Sequence, residues 1–174
     1  MGTYFYYVNF TRRERFSISA LGGGDKLSSI GRNLAARAFE LMVTRRGTGL
    51  LGELPALCGR WAGDEVAVVG DDWDEDWDAI RESHVDIGAN VILLLMEFDG
   101  FEPLREAAEQ DSFLFMQLCH LATTGQSKPL EKEMEHHFGV DFRRRYKQMC
   151  QERVWFQPLN IVKGRDDGVR PGRE

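Results

Sequence analysis

The sequence predicts an α+β fold in which helices pack against a small, mainly antiparallel sheet. Two stretches rich in aromatic or β-branched residues, at positions 3–10 and 65–69, predict strands. Much of the remaining chain carries apolar residues at helical spacing, which predicts several amphipathic helices. The 174 residues, of which 43% are hydrophobic, fit one domain over residues 1–162 followed by a basic tail at 163–174.

The first predicted strand is expected to turn back on itself and form a hairpin. Residues 9–13 supply the turn, and residues 15–18 supply the returning strand. The strand's alternation places its even-numbered residues on one face and Phe5 and Tyr7 on the other. Arg12 and Arg13 would then stand side by side, exposed at the tip of the hairpin.

The second predicted strand lies within the sequence RWAGDEVAVVGD at residues 60–71. A tight turn over residues 61–64 precedes it, and Gly63 is free to take a positive φ in that turn. Gly70 and an acidic turn close the strand. We therefore expect a buried strand at residues 65–69, around which the rest of the chain is organised.

Capping and breaking residues predict where several helices begin. Asn33 suits the N-cap of a helix that continues to residue 45. Pro103 opens a helix that is interrupted near Asp111 and runs to about residue 123. Pro129 fits the first position of a short helix that ends at residue 137.

Other stretches leave alternatives open. Asp86 suits the cap of a helix through residue 98, but a buried strand at residues 91–95 competes with that interpretation. A further helix begins at Val140 or Asp141. The aromatic and β-branched residues 155–162 predict a last strand at an edge of the sheet, because Pro158 disfavours a central position.

Charge is strongly partitioned along the chain, although the net charge is only −6. Residues 1–60 carry a net +5, residues 61–111 carry −14 and residues 112–174 carry +3. This partition predicts separate surfaces for different partners. The competing interpretation is that the charges are solvated and attract one another within the molecule, and the sequence leaves both open.

The sequence favours a cytoplasmic protein without a membrane partner. No apolar run approaches the roughly 18–20 residues that a membrane span needs, and the first residues lack the features of a secretory signal. The three cysteines, Cys58, Cys119 and Cys150, are an odd number without close spacing. That pattern favours reduced thiols.

No motif predicts catalysis or metal binding. A calcium loop starting at Asp72 would place Trp77 and Ser83 where the EF-hand needs Gly and Glu. His136 and His137 are adjacent, so they point about 100° apart on a helix, and no CxxC is present. We expect no metal, no cofactor and no enzyme activity, and an enzyme with an acidic cleft remains an alternative.

Nucleic-acid contact has more support from the sequence, because arginines occur in clusters. Arginine binds phosphate through a planar fork and stacks on bases. Ordinary solvated surface and a free basic tail are the competing interpretation. The candidate rRNA- and ribosome-binding residues are Arg12, Arg13, Arg15, Arg143, Arg144, Arg145, Lys147, Arg165, Arg170 and Arg173.

Three stretches together resemble a small eukaryotic domain family. They are MGTYFYYVNFTRRERF at the start of the chain, GGGDK at residues 22–26 and RWAGDEVAVVGDD at residues 60–72. Members of that family begin with a Gly/Tyr-rich strand, continue with V-N-x-T-[KR] and later carry W-A-G-D and V-G-D. The resemblance covers roughly residues 1–90. The family is similar to microsporidian dormancy factor one, which occupies tRNA sites of an idle ribosome and blocks translation.

The resemblance implies a ribosome hibernation factor that fills the tRNA exit region, with rRNA and ribosomal proteins as partners and no small-molecule substrate. A protein–protein adaptor that docks a basic partner through the acidic residues 71–86 is the main alternative. Residues 143–145 and the tail have no counterpart in the family's pattern. The motif positions that the resemblance implies to be fold-defining are Asn9, Thr11, Trp61, Gly63, Asp64, Gly70 and Asp71.

Overall fold

The predicted combination of a small sheet and several helices is confirmed by a computed structural model, which describes residues 4–22, 33–45, 55–71 and 77–163. The strands in these ranges are β1 (Phe5–Asn9), β2 (Glu14–Ser17), β3 (Val66–Gly70) and β4 (Val85–Asp86). The helices are α1 (Leu34–Val43), α2 (Trp77–Ser83), α3 (Gly88–Asp99), α4 (Glu102–Gln110), α5 (Ser112–Thr123), α6 (Lys128–Phe138) and α7 (Phe142–Glu152). The fold class is α+β.

Strand β1 lies inside the sheet, whose strand order is β3-β1-β2-β4. It pairs antiparallel with both β2 and β3, so the predicted hairpin is confirmed and the sheet is mainly antiparallel. The two-residue strand β4 pairs parallel with β2. Residues 85 and 86 therefore form a short strand at the edge of the sheet next to β2.

The prediction that residues 65–69 form the buried centre of the fold is wrong. Strand β3 spans Val66–Gly70 and lies at one edge of the sheet. Its Val68 side chain is 39% exposed. Hydrophobic composition identified the strand, but its burial depends on strand order, and β1 takes the inner position because it pairs on both sides.

Both faces of β1 are covered, and the two faces have different partners. Phe5 and Tyr7 are buried in the main core. On the opposite face, Val8 packs in a smaller cluster with Ile80 of α2. Tyr6 lies parallel to the Trp77 ring, with the ring centroids 4.3 Å apart. Helix α2 therefore closes the second face of the sheet.

The predicted helix starts and interruptions are confirmed at several positions. The Asn33 Oδ1 accepts a hydrogen bond from the Ala36 amide at 2.9 Å, as an N-cap of α1 should. The Asp111 carboxylate caps α5 and separates it from α4. Gly139, with φ 68°, ends α6.

Residues 91–95 are helical, so the competing prediction of a strand there is wrong. They belong to α3, and Asp86 accepts a hydrogen bond from the Gly88 amide at the start of that helix. Apolar residues on α3 and α5 supply much of the main core, including Ile92, Leu95 and Phe115. No helix among the described residues is long and apolar enough to cross a membrane.

Residues 155–162 do not form the predicted edge strand. They cross the helical part of the molecule without forming a helix or a strand, and Lys163, the next residue, is the last one that the structure describes. Pro158 lacks the amide hydrogen that a strand ladder requires. The β-branched composition of the segment indicated a strand, whereas its backbone is bound by amide side chains from the helices.

Two amides bind this C-terminal segment in the way that a neighbouring strand would. Gln117, which is fully buried, donates to the Gln157 carbonyl at 3.1 Å and accepts from the Leu159 amide at 2.9 Å. Asn90 donates to the Val162 carbonyl at 3.2 Å and accepts from the amide of the same residue at 3.0 Å. Each side chain therefore satisfies one backbone donor and one acceptor.

A buried carboxylate joins the hairpin to the turn before β3. The Glu14 side chain is 0% exposed, and its Oε1 accepts from the Arg60 Nη2 at 2.7 Å. Its Oε2 accepts from the Arg60 Nε at 3.1 Å and from the Trp61 Nε1 at 2.9 Å. These charge-assisted hydrogen bonds compensate the carboxylate for the water it has lost.

Hydrogen bonds between the VNFTR stretch at residues 8–12 and the WAGDE stretch at residues 61–65 strengthen the same junction. The Asp64 carboxylate accepts from the Asn9 amide at 3.0 Å and from the Arg12 Nε at 2.7 Å. The Thr11 hydroxyl accepts from the Glu65 amide at 3.0 Å. These hydrogen bonds therefore join the hairpin turn to the residues before β3, although more than 50 positions separate the two in the sequence.

The remaining motif residues also act on the backbone. Gly63 has a φ of 81°, the left-handed conformation that the sequence predicted. A Cβ on Gly70 would lie 2.7 Å from the Phe5 ring, so only glycine fits there. The Asp71 carboxylate accepts a hydrogen bond from the Tyr4 amide at 2.9 Å.

We predict that Glu14→Gln destabilises the protein by about 3–5 kcal/mol, because it removes the buried negative charge with which the Arg60 guanidinium is paired. Urea unfolding followed by tryptophan fluorescence measures the loss. Glu102→Gln, which removes an exposed carboxylate beside Arg105, is the control and leaves the midpoint nearly unchanged. Equal midpoints for the two variants would contradict the role of Glu14.

Candidate nucleic-acid interface

The two hairpin-tip arginines differ in their surroundings. Arg12 is not exposed as predicted: its side chain is only 21% exposed and is paired with Asp64. Arg13 is exposed and has a positive φ of 53°. The sequence could not predict this difference, because the carboxylate that binds Arg12 lies 52 positions further along the chain.

Arg15 lies against the sheet and has several partners there. Its Nη1 is 2.9 Å from Asp86 Oδ2, and its guanidinium carbon lies 4.5 Å from the centre of the Tyr6 ring. Burial raises the pKa of Asp86, and the Arg15 charge and the Gly88 amide partly oppose that rise. Arg15 therefore stabilises the β2–β4 region and presents little charge to a partner.

The arginines of α7 also differ in their pairing. Arg143 Nη2 is 2.6 Å from a carboxylate oxygen of Glu131 and 2.6 Å from one of Glu135. Both acids are on α6, so Arg143 connects the two helices. Arg144, in contrast, is 83% exposed, and its nearest carboxylate is the exposed Asp141 at 3.6 Å. An exposed pair of that geometry contributes little.

Three cations on α7 are exposed and are available to a partner. Arg145 and Lys147 form no salt bridge with any residue that the structure describes, and Arg144 has only the weak pairing with Asp141. Positions 144 and 147 are three apart and therefore adjacent on the helix surface. Arg145 and Lys147 lie on either side of Arg144, about 160° apart around the helix. We call Arg144, Arg145 and Lys147 together the α7 basic face.

A shallow groove of about 260 Å³ adjoins the α7 basic face. We call it the α5–α7 groove. The Arg145 guanidinium carbon lies 4.4 Å from the centre of the Phe115 ring at this groove. The residues that line the groove include Phe115, Phe138, Phe142, Arg145 and Gln148.

Sequence analysis identified the arginines of the groove but not its aromatic residues or Gln148. A partial signal was present: residues 141, 144, 145 and 148 are spaced three or four apart and so share one side of α7. Nothing local indicates which part of α5 this side faces. Parts of both charged surfaces, including Trp73 with its acidic neighbours, the loop residues 23–26 and the tail arginines Arg165, Arg170 and Arg173, lie outside the described residues.

Cys119 is not an activated nucleophile in the described structure. Burial raises the pKa of Cys119 to about 12, so its thiol is protonated at neutral pH. His120 is 3.1 Å from the Tyr146 hydroxyl through Nδ1 and 3.1 Å from Asn160 Oδ1 through Nε2. Within the described ranges, no group of three or more Cys, His or acidic residues is arranged to hold a metal.

Comparisons with protein-family models, curated proteins and solved structures found no match to the chain. The resemblance over residues 1–90 therefore stays a prediction. The structural observations that bear on function are those of this chain alone: the motif residues lie at the junction of hairpin and β3, and the exposed cations lie on α7.

We predict that Cys119 resists alkylation by iodoacetamide at pH 8 in the folded protein. A pKa of about 12, against 9.0 for an ordinary thiol, lowers its thiolate fraction about 1,000-fold. Mass spectrometry should find Cys119 modified only after urea is added, whereas the half-buried Cys150 reacts first. Rapid modification of Cys119 in the folded chain would contradict this prediction and favour the enzyme alternative.

Proposed function

We propose that this protein is a ribosome-associated dormancy factor. It acts in the cytoplasm without catalysis, occupies the tRNA exit region of idle ribosomes and blocks translation sterically. The observation that carries the proposal is the α7 basic face, whose three cations lack strong internal partners. Free arginine and lysine side chains bind the phosphates of rRNA and release counterions as they do so.

The contact between the family motifs gives the proposal a second support. Asn9 and Thr11 come from one motif and Asp64 from the other, and their hydrogen bonds join two distant parts of the chain. Motif residues that act together on one junction are more informative than residues scattered over the surface. This supports a shared fold with the dormancy-factor family and, through that family, a ribosomal partner.

Internal pairing reduces the set of proposed contacts. Arg12, Arg15 and Arg143 are bound to carboxylates of the same chain, so we no longer assign them to rRNA. Exposed Arg13 and the α7 basic face remain, and the arginines of the tail extend that set. The protein would thus bind rRNA through α7, with a smaller contribution from the hairpin tip.

The acidic middle of the chain supplies the other side of the proposed contact. On α2, Asp78 and Glu82 are exposed, and Glu65 is exposed next to β3. We propose that these carboxylates face basic ribosomal proteins. The adaptor alternative uses the same acidic surface with a single basic partner, and it requires no contribution from α7.

We predict that replacing Arg144, Arg145 and Lys147 together by Glu lowers co-sedimentation with ribosomes by at least about tenfold at roughly 0.15 M salt, because phosphate contacts are lost. Sucrose-gradient sedimentation of the purified chain with vacant ribosomes measures this. Binding of the unsubstituted chain should also weaken steeply as salt is raised.

The matched control carries the same change in charge at exposed positions away from α7. Arg45, Lys128 and Lys132 are all exposed and belong to no proposed contact, so their replacement by Glu should leave sedimentation with ribosomes largely intact. If both triple variants bind as the unsubstituted chain does, the α7 basic face is not the ribosome contact. A chain that never sediments with ribosomes and is captured by one other protein would favour the adaptor alternative.

A further inference from the structure

The α5–α7 groove combines aromatic lining residues with two exposed arginines, Arg144 and Arg145. Its volume of about 260 Å³ lies just below the roughly 300–1,000 Å³ of sites for drug-sized ligands. A groove of this size accommodates one ring system and its immediate substituents. Its occupant is therefore a small group, or one unit of a longer polymer.

Arg145 gives the groove a flat surface for stacking. Its guanidinium carbon lies over the Phe115 ring, 4.4 Å from the ring centre. The residue is nevertheless exposed, so a ligand can approach it from solvent. Guanidinium planes stack on nucleobases, and each base–side-chain stack in single-strand binding proteins contributes about 1–3 kcal/mol.

The charges around the groove select an anionic ligand. Arg144 lines the groove beside Arg145. Lys147 is not a lining residue, but it lies three positions after Arg144 and is therefore next to it on the helix surface. Asp141 is the only acidic residue among the lining residues, and its long, exposed pairing with Arg144 is weak. Gln148 adds an amide, whose Nε2 donates to Glu152 Oε1 at 2.9 Å and whose oxygen can accept from the edge of a base.

We propose that the α5–α7 groove binds one unpaired nucleotide of single-stranded RNA. Its base stacks on the Arg145 guanidinium, and its phosphates are bound by Arg144 and Lys147. This inference rests on the proposed function, because it specifies which RNA element the α7 basic face would bind. Paired bases are already stacked inside a duplex, so the groove distinguishes single strands from double strands.

The test compares two conservative variants that keep the positive charge. Arg145→Lys removes the planar guanidinium, whereas Arg144→Lys changes a residue assigned only to phosphate. Fluorescence anisotropy measures binding of the full chain to a labelled ten-nucleotide RNA strand of mixed sequence, to an abasic strand of equal length and to a duplex. Circular dichroism verifies that both variants are folded.

The unsubstituted chain is expected to bind the strand with bases about tenfold or more tightly than the abasic strand, as the energy of one stacked base implies. Arg145→Lys should lose this preference while its affinity for the abasic strand stays the same. Arg144→Lys should retain the preference. Equal affinity of the unsubstituted chain for the two strands, or a full preference in Arg145→Lys, would overturn the inference.

Parallel sedimentation with ribosomes separates this inference from the proposed function. If the unsubstituted chain binds ribosomes but does not prefer the strand with bases, the groove assignment fails and the dormancy proposal stands. If it prefers that strand and loses the preference in Arg145→Lys, yet never binds ribosomes, the groove assignment is supported and the dormancy proposal fails.

Discussion

The buried carboxylate of Glu14 is the constraint on which much of this structure depends. A carboxylate that is removed from water must be compensated by hydrogen-bond donors, and here Arg60 and Trp61 supply them. This requirement fixes the turn before β3 against the hairpin. It also positions the Trp61 ring 5.5 Å from that of Phe16, inside the main core. The hydrogen bonds of Glu14 and the packing of the main core therefore both depend on the contact between the hairpin and the turn before β3.

The same need for compensation divides the arginines into two groups. Arg12, Arg15 and Arg143 are bound to carboxylates of the chain and stabilise contacts between its elements. Arg144 and Arg145 are left exposed on α7. Clusters of arginines in a sequence therefore overstate the charge that a partner can meet. The cations that can contact a nucleic acid are those that are not already bound to carboxylates inside the protein.

Local patterns predicted the parts of this fold that depend on nearby residues. The hairpin, the Asn33 cap and the break at Asp111 follow from alternation and capping, so the sequence was sufficient. The edge position of β3 depends on which strands pair. The conformation of residues 155–162, which form no strand, depends on a hydrogen bond from the distant Gln117. Those features could not be predicted because the residues that decide them lie far apart in the chain.

In the candidate site, too, some features follow from the local sequence and others only from contacts between distant residues. The basic residues of α7 were evident from composition, whereas the pairing of Arg143 with α6 and the stacking of Arg145 on Phe115 arise only from helix packing. Sequence therefore identified a helix that could contact RNA. Packing determines which of its arginines remain exposed to a partner, and it places one of them, Arg145, over the Phe115 ring.

Arginine footprinting of the free and the ribosome-bound chain tests this account most directly. Phenylglyoxal should modify Arg144 and Arg145 in the free protein and leave the carboxylate-bound Arg12, Arg15 and Arg60 largely unmodified. Ribosome binding should then protect Arg144 and Arg145. Unchanged modification of these two residues in a chain that has bound ribosomes would contradict the account.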